Sequence, residues 1–303
     1  MRIDQLRYVA AVMSSRSMRQ AAQALGITQP SLSQQIQRLE EDLGVVLFVR
    51  GSTGVSPTSA ATFLEPHIRA MLSAERTMRQ AASSISDARV GHVYIGAVPT
   101  VCRTILPTAV HQFRQEHPNI EFEVTELGSH QVWEGVTNGD FDLGLISRVA
   151  SDAPLNAVTT VDLIASQTVM CVPTDHPLAH AQVITPEDLV GEPLIVFQRG
   201  FLLRRIFDEM NIDGRLTAIF HTASIDTARA LVTAGVGLAV LPEIGIPEDD
   251  VASGKYRVVP LEATLSATIT AAIRRVDEYP SPPALGLLNI LRTLAVSRRG
   301  VSW

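Results

Sequence analysis

Lysine is nearly absent from this 303-residue chain: of 25 basic side chains only Lys255 is a lysine, and the rest are Arg. Cysteine is scarce too. Cys102 and Cys171 lie 69 positions apart, which gives no disulfide framework and suits a reducing compartment. Long apolar runs are missing; stretches such as Ala230–Pro242 reach 13 residues, short of the roughly 18–20 a membrane helix needs. The opening MRIDQLRYVAAVMSSR has charges spread through it and no apolar segment of the signal-peptide kind, so a cytoplasmic protein away from membranes is expected. Chemistry-bearing motifs are missing as well. His176 and His180 are four apart, but Pro177 lies between them and no Cys or Glu completes a metal set. There is no G-x-S-x-G, phosphate loop or G-x-G-x-x-G, and Gly235-Val236-Gly237 merely begins a strand. Asp140 with Asp142 and Asp249 with Asp250 read as turn or surface acids. No catalytic residue, metal or cofactor is expected.

A 46% hydrophobic content excludes intrinsic disorder, and the length suits two or three domains. The net charge of −6 argues against nucleic acid only if the chain is one object. Residues 1–90 hold ten Arg and seven acids, whereas residues 91–303 hold 15 basic and 24 acidic side chains. Arg suits bidentate contacts to phosphate or base edges, and its dominance equally follows from genome composition.

The basic segment has a readable plan. Ile3, Leu6, Tyr8, Val9, Val12 and Met13 recur at helical spacing. Ser17 caps a short helix of small residues that Gly26 closes, and Thr28 caps a second with Pro30 in its first turn. That second helix places Leu32, Ile36, Leu39 and Leu43 on one face and leaves Ser31, Ser33, Gln34, Gln35 and Arg38 largely off it. Two short helices joined by a Gly-containing turn, the second with a polar outward face, form a helix-turn-helix. Val45–Arg50 then reads as a strand, Gly51-Ser52-Thr53-Gly54 as a turn and Val55-Ser56-Pro57 as the return, a wing that brings Arg50 to backbone phosphate.

The stretch SMRQAAQALGITQPSLSQQIQRLEEDLGVVLFVR resembles the DNA-binding signature of LysR-type transcriptional regulators. It carries the A-A-x-x-L core, the T-Q-P-S-L-S-x-Q-I start of the recognition helix and the L-E-x-x-L-G-x-x-L-F-x-R passage into the wing. The family usually continues Leu-Thr and then Ala-Gly; here Ser56-Pro57-Thr58-Ser59-Ala60-Ala61 implies a shorter return strand and a changed start to the next helix. The resemblance implies DNA contacts from Thr28, Gln29, Pro30, Ser31, Ser33, Gln34, Arg38 and Arg50 to a double-stranded operator. From Thr58 to roughly Ser86, Ala60, Leu64, Ile68, Met71, Leu72, Ala74, Met78 and Ala81 repeat in helical fashion. Such a helix, roughly 43 Å long, exceeds what a small winged domain covers, so a second copy of the helix is the economical partner. The resemblance likewise implies an antiparallel linker-helix dimer, assembling as a dimer of dimers.

From Gly91 short strands alternate with helices. Val93–Val98, Glu121–Glu126 and Leu143–Ser147 read as strands around helices Arg103–Glu116 and Ser129–Asn138. A second series follows with strands Thr168–Val172, Leu194–Phe197, Thr217–His221 and Gly237–Leu241, and helices Phe201–Met210 and Ser224–Ala234. Such alternation implies parallel sheets covered on both faces. The resemblance returns the strand Ala267–Ile273 and the last helix, near Pro283–Val296, to the first lobe. The expected organisation is α/β overall: a winged helix-turn-helix at 1–58 and a linker helix at 59–90. A body of two Rossmann-like lobes resembling periplasmic binding proteins follows at 91–303, with lobe I at 91–162 and 266–303 and lobe II at 163–265.

Ligands in open α/β domains bind beyond the carboxyl ends of strands. That rule selects Pro99, Thr100, Val101, Cys102, Gly128, Ser129, Ser147 and Arg148 in one lobe, and Gln198, Phe201 and Ala223 in the other. Hydroxyls beside a helix start favour an anion such as a carboxylate, although Ser129 and Ser224 are equally explained as helix caps. Arg148 or Arg199 would neutralise an anionic effector, or be solvated rim charges. Cys102 reads as a reactive thiol or as a small pocket-lining residue. The resemblance implies that a small-molecule effector between the lobes alters operator bending and RNA polymerase recruitment. The alternatives are a cytosolic small-molecule-binding module, a cysteine-based redox sensor on the same scaffold and an enzyme with Cys102 as nucleophile.

Overall fold

The computed structural model describes residues 1–15, 17–51, 54–86, 91–262, 267–276 and 281–298. They form two compact units, one of Met1–Ser86 with the short segment Asn138–Asp140, the other of the remaining described residues.

In the first unit α1 (Ile3–Ser15), α2 (Met18–Ala24) and α3 (Gln29–Leu43) pack through Leu6, Val9, Ala21, Leu32, Ile36 and Leu39, all nearly solvent-free. Each large aliphatic so buried contributes about 1.5–3 kcal/mol, which sets the cost of disturbing this small core. The ends are fixed as the sequence suggests. The Ser17 hydroxyl accepts from the Gln20 N–H, that of Thr28 accepts from the Ser31 N–H, and Gly44 closes α3 in the left-handed region at φ 69°. The wing is β1 (Phe48–Gly51) antiparallel to β2 (Gly54–Pro57), with Phe48 opposite Pro57. Val45–Leu47, expected as strand, are not: the Glu40 carboxylate takes the N–H groups of Leu47 and Phe48, so pairing begins at Phe48.

α4 (Ser59–Ser86) starts without the family glycine because Thr58 serves twice, its hydroxyl donating to the Val46 carbonyl and accepting from the Ala61 N–H. The helix carries two apolar faces rather than one. Ala61 and Ile68 are buried in the head core and Leu64 and Leu72 pack against it, while Phe63, Met71 and Met78 are exposed to 73, 43 and 66%.

The second unit is built on one continuous sheet. Its first part pairs β3 (Gly91–Ala97) in parallel with β4 (Ile120–Glu126) and β5 (Leu143–Val149), with helices α5 (Pro99–Thr104), α6 (Leu106–Glu116) and α7 (Ser129–Thr137) between them. The expected helix Arg103–Glu116 is thus two helices: Pro99 starts a first turn immediately after the strand, and Pro107 starts the second. β6 (Val158–Val172) crosses to the second part, which contains β7 (Pro193–Phe197), α8 (Leu202–Met210), β8 (Thr217–Thr222) and α9 (Ile225–Thr233). It continues through β9 (Leu238–Pro242), α10 (Glu248–Ala252) and β10 (Arg257–Pro260). The chain then returns as β11 (Ala267–Arg275) and α11 (Pro282–Arg298).

The strand order is β4-β3-β5-β11-β6-β9-β7-β8, with β10 also on β6. Parallel pairing is confined to the lobe cores, and the strands that join them are antiparallel. β6 is the element the sequence showed least. It pairs with β11 from Val158 to Gln167 and with β9 and β10 from Thr168 onward, so one strand belongs to both lobes. α11 packs on α6, β3 and β6, in the first lobe, and its Leu287 and Leu291 are solvent-free there.

Candidate functional site

The first site is the outer face of α3. Leu32, Ile36 and Leu39 fix the helix on the core, which leaves Ser31, Gln34 and Arg38 exposed along one line at i, i+3 and i+7. Thr28, Gln29 and Pro30 are exposed at its start. Ser33 is half-buried, and at 100° per residue it stands well over about 100° around the helix from that line, on the flank of the core. The first part of that face, from Thr28 to Arg38, presents amides, hydroxyls and one guanidinium, groups that suit base edges and phosphates, and the exposed carboxylates Glu41 and Asp42 follow at its end. The backbone of Arg50 pairs with Val55; its side chain lies outside the described residues, as do Ser52 and Thr53 of the expected turn.

The second site is a cleft between the two lobes. Its inner chamber is a cavity of about 40 Å³. The floor is made by the joining strands, with Thr268 and Thr270 from β11, Thr168 from β6 and Ser147 from β5, and Thr270 lies directly opposite Ser147 in the sheet. Pro99 and Thr100 come from the first turn of α5 and Ser129 from the start of α7. The facing wall is apolar, with Phe197, Phe201, Leu202, Leu203, Ile225 and Ile244. Among the described residues no charged side chain lines this chamber. The Ser129 hydroxyl donates to the Ser147 carbonyl at 2.7 Å and accepts from the Ser147 N–H at 3.1 Å, so its bonding is engaged in tying α7 to β5.

Outward the cleft widens into a chamber of about 630 Å³ that shares Ser129, Ser147, Phe201 and Leu202 with the inner one. His130 and Trp133, stacked with centroids 5.6 Å apart, form one side; Arg148, Arg199, Arg204 and Arg205 form much of the rest. Arg148 is held bidentately by Asp162 at 2.9 and 3.0 Å, and Arg204 is paired with Asp208. Arg199 is exposed and makes no ion pair among the described residues.

Two ion pairs clasp the lobes on either side. Asp152, just after β5, takes both Nη groups of Arg205 on α8 at 2.7 and 2.9 Å, and Arg103 on α5 pairs with Asp226 on α9. Burial raises the Asp152 carboxyl, but Arg205 and the Val149 N–H together outweigh it and hold the group below its usual range. Between these clasps the backbones meet: a Cβ on Gly128 would come within 2.3 Å of the Gly200 carbonyl oxygen.

Of the effector residues expected from sequence, Pro99, Thr100, Ser129, Ser147 and Phe201 line the inner chamber, and Arg148 lines only the outer one. Val101 and Cys102 do not line it. Successive helical side chains turn by about 100°, so with Thr100 on the cavity Val101 enters the lobe core and Cys102 packs beside it. Gly128 abuts Gly200, and Gln198 and Ala223 line neither chamber. Burial, reinforced by the Glu126 charge, pushes the Cys102 thiol up to about 11, and burial pushes Cys171 up to about 12. Neither is a ready nucleophile. No group of three metal-ligating side chains occurs among the described residues, and no described helix is long and apolar enough to cross a membrane.

Comparison with known proteins bears on both sites. Residues 3–62 match the family described as bacterial regulatory helix-turn-helix protein, lysR family, and residues 86–295 match the LysR substrate binding domain. The chain is 32% identical over 245 residues to the uncharacterized HTH-type transcriptional regulator YybE of Bacillus subtilis, covering 80% of this chain and 82% of that protein. It is 30% identical over 253 residues to the DNA-binding transcriptional dual regulator OxyR of Escherichia coli, covering 82 and 81%. Among solved structures, a full-length, singly substituted OxyR from Pseudomonas aeruginosa aligns with a TM-score of 0.67 at 23% identity, covering 100% of this chain and 96% of that one, a likeness of fold.

Proposed function

The chain belongs to the LysR family of bacterial helix-turn-helix transcriptional regulators, DNA-binding proteins with an effector-binding domain, and we propose how its parts divide that work. The head, residues 1–58, reads a double-stranded operator through α3. Ser31, Gln34 and Arg38 meet base edges and phosphates, Thr28, Gln29 and Pro30 seat the helix start, and Arg50 reaches phosphate from the wing. Ser33 supports this surface from its flank. The linker, residues 59–90, pairs with a second copy through the stripe of Phe63, Met71 and Met78, which the head leaves exposed, and dimers associate into tetramers. The body, residues 91–303, binds a small-molecule effector between its lobes, and the lobe angle changes operator bending and the access of RNA polymerase. The protein works in the cytoplasm, without catalysis.

The observation that carries this reading is the pairing of an exposed polar face on α3 with a cavity between two lobes joined by shared strands. A carboxylate effector loses support in the inner chamber, where no described side chain is a cation and Ser129 is engaged with Ser147; Arg148 is neutralised by Asp162, which leaves Arg199 of the outer chamber as the cation an anion could meet. The relatives also include a protein of Dickeya chrysanthemi named hydrogen peroxide-inducible genes activator, but a thiol-based peroxide response here would need a thiolate, and burial disfavours that form at both cysteines.

Nuclease footprinting on the DNA flanking the protein's own gene tests the reading. A protected, partly palindromic site that Q34A/R38A loses at equal protein concentration, with unchanged thermal melting, is expected. Equal protection by the double variant removes α3 from the interface.

A further inference from the structure

The inner chamber of the cleft contains groups that a regulator without a ligand has no use for. Thr100 and Thr270 are 7 and 5% exposed, and neither hydroxyl has a hydrogen-bond partner among the described residues. The hydroxyl of Ser147, opposite Thr270 in the sheet, is also without one among the described residues. Hydroxyls that open toward one cavity are satisfied by whatever fills it, so a molecule that replaces water there can be held by them. Hydroxyls differ from cations and amides in being able to donate and accept at once.

The surroundings decide the charge of that molecule. Among the described residues no Arg, Lys or His lines the chamber, and its opposite wall is formed by phenylalanine, leucine and isoleucine side chains. A carboxylate brought there would lose its hydration without gaining a counter-charge, whereas an alcohol, ketone or amide would find hydroxyl partners and an apolar wall. The volume limits what the inner chamber itself can hold. About 40 Å³ corresponds to roughly three water-sized positions at 10–15 Å³ each, and Gly128 against Gly200 bars further closing.

We propose that the inner chamber takes an uncharged molecule of a few heavy atoms, with a short apolar body and one hydroxyl, carbonyl or amide group held by Thr100, Thr270 and Ser147. This rests on the reading of the cleft as the effector site and gives that effector a chemical class. Anionic ligands are confined to the outer chamber or excluded.

The test uses matched probes on the full-length protein: isobutyramide and isobutanol against isobutyrate, and propionamide against propionate, at pH 7.5 and constant ionic strength. Saturation-transfer NMR and thermal-shift titration read binding. The neutral member of each set should bind at least tenfold tighter than its carboxylate, and T100V and T270V, which keep volume and remove the hydroxyl, should each weaken it about fivefold. S147A provides a third variant should either threonine change impair folding, which wild-type operator binding and melting would exclude. Carboxylates binding as well as or better than their neutral partners, with sensitivity to T270V, would overturn this proposal and leave the cleft as the effector site. Neutral binding unmoved by all three variants would place it elsewhere and also overturn it. No hydroxyl-dependent binding by any probe would count against both.

Discussion

Substituting Gly128 by Ala probes the apposition of the lobes with the smallest possible wedge. Gly128 lies outside the left-handed region, so the backbone accepts a side chain and the effect is purely steric. The new Cβ would stand 2.3 Å from the Gly200 oxygen and 2.6 Å from its carbon, whereas ordinary contact begins near 3.4 Å. The facing lobe must therefore recede by about 1 Å at this point, and since both sides are backbone neither can simply rotate away. Overpacking of this kind costs about 1–3 kcal/mol. For a unit of roughly 200 residues each kcal/mol lowers the melting temperature by about 2–4 °C. The Asp152–Arg205 clasp gives an independent readout. Its side chains are 22 and 52% exposed, so a double-mutant cycle with D152N and R205Q should give a coupling of only about 0.5–1 kcal/mol in the wild-type protein. In the G128A background that coupling should fall toward zero, while α3 and the head melt as before. A G128A protein with wild-type melting and intact coupling would refute the claim that the lobes touch here.

On the linker, F63D/M78D alters only exposed positions of α4, so the head should melt normally while analytical ultracentrifugation shows a shift toward monomer; an unchanged oligomer would exclude this stripe as the interface. The Asp152 carboxyl, held below its ordinary value, stabilises the folded body above the unfolded pKa of about 3.9 and loses that contribution as pH falls through the folded value. The gap between acid melts of wild type and D152N should therefore be constant above about pH 3.9, narrow as the pH falls below that and close once it passes the folded value, and a constant gap across pH 2–6 would refute the assignment. With Cys102 near 11, fewer than about one thiol in a thousand is ionised at pH 8. Labelling of the native protein by a thiol reagent should be slow until urea unfolds it, and C102A should keep any ligand response; rapid modification would refute the raised thiol values.

The head was legible because its signals are local. Caps at Ser17 and Thr28, Gly44 at the end of α3 and the Leu32/Ile36/Leu39 spacing each act within a few residues. The lobe cores were legible for the same reason, as strand and helix alternate at short range. The first part of the joining strand β6 was not. β6 changes partners at Gln167/Thr168, and its burial follows two different neighbourhoods instead of alternating, so its first ten residues gave no strand signal. Thr168, Thr268 and Thr270, which floor the cavity, lay on the strands read at Thr168–Val172 and Ala267–Ile273 and were passed over because the ligand rule looks beyond strand ends and not along a strand. Pro99 offered the one available clue to α5, and reading that helix would have turned Cys102 away from the site.

The central claim is that α3 reads sequence while Arg38 and other basic side chains of the head hold the duplex. Fluorescence anisotropy with the footprinted site and a scrambled duplex, from 50 to 300 mM salt, separates the two contributions. Wild type should prefer the true site by at least about 10³-fold. Q34A should lose preference with an unchanged salt slope, and R38A should reduce the slope by about one for each phosphate that the guanidinium neutralises in the wild-type complex. Equal affinity of the wild-type protein for the two duplexes at every salt concentration would contradict the account.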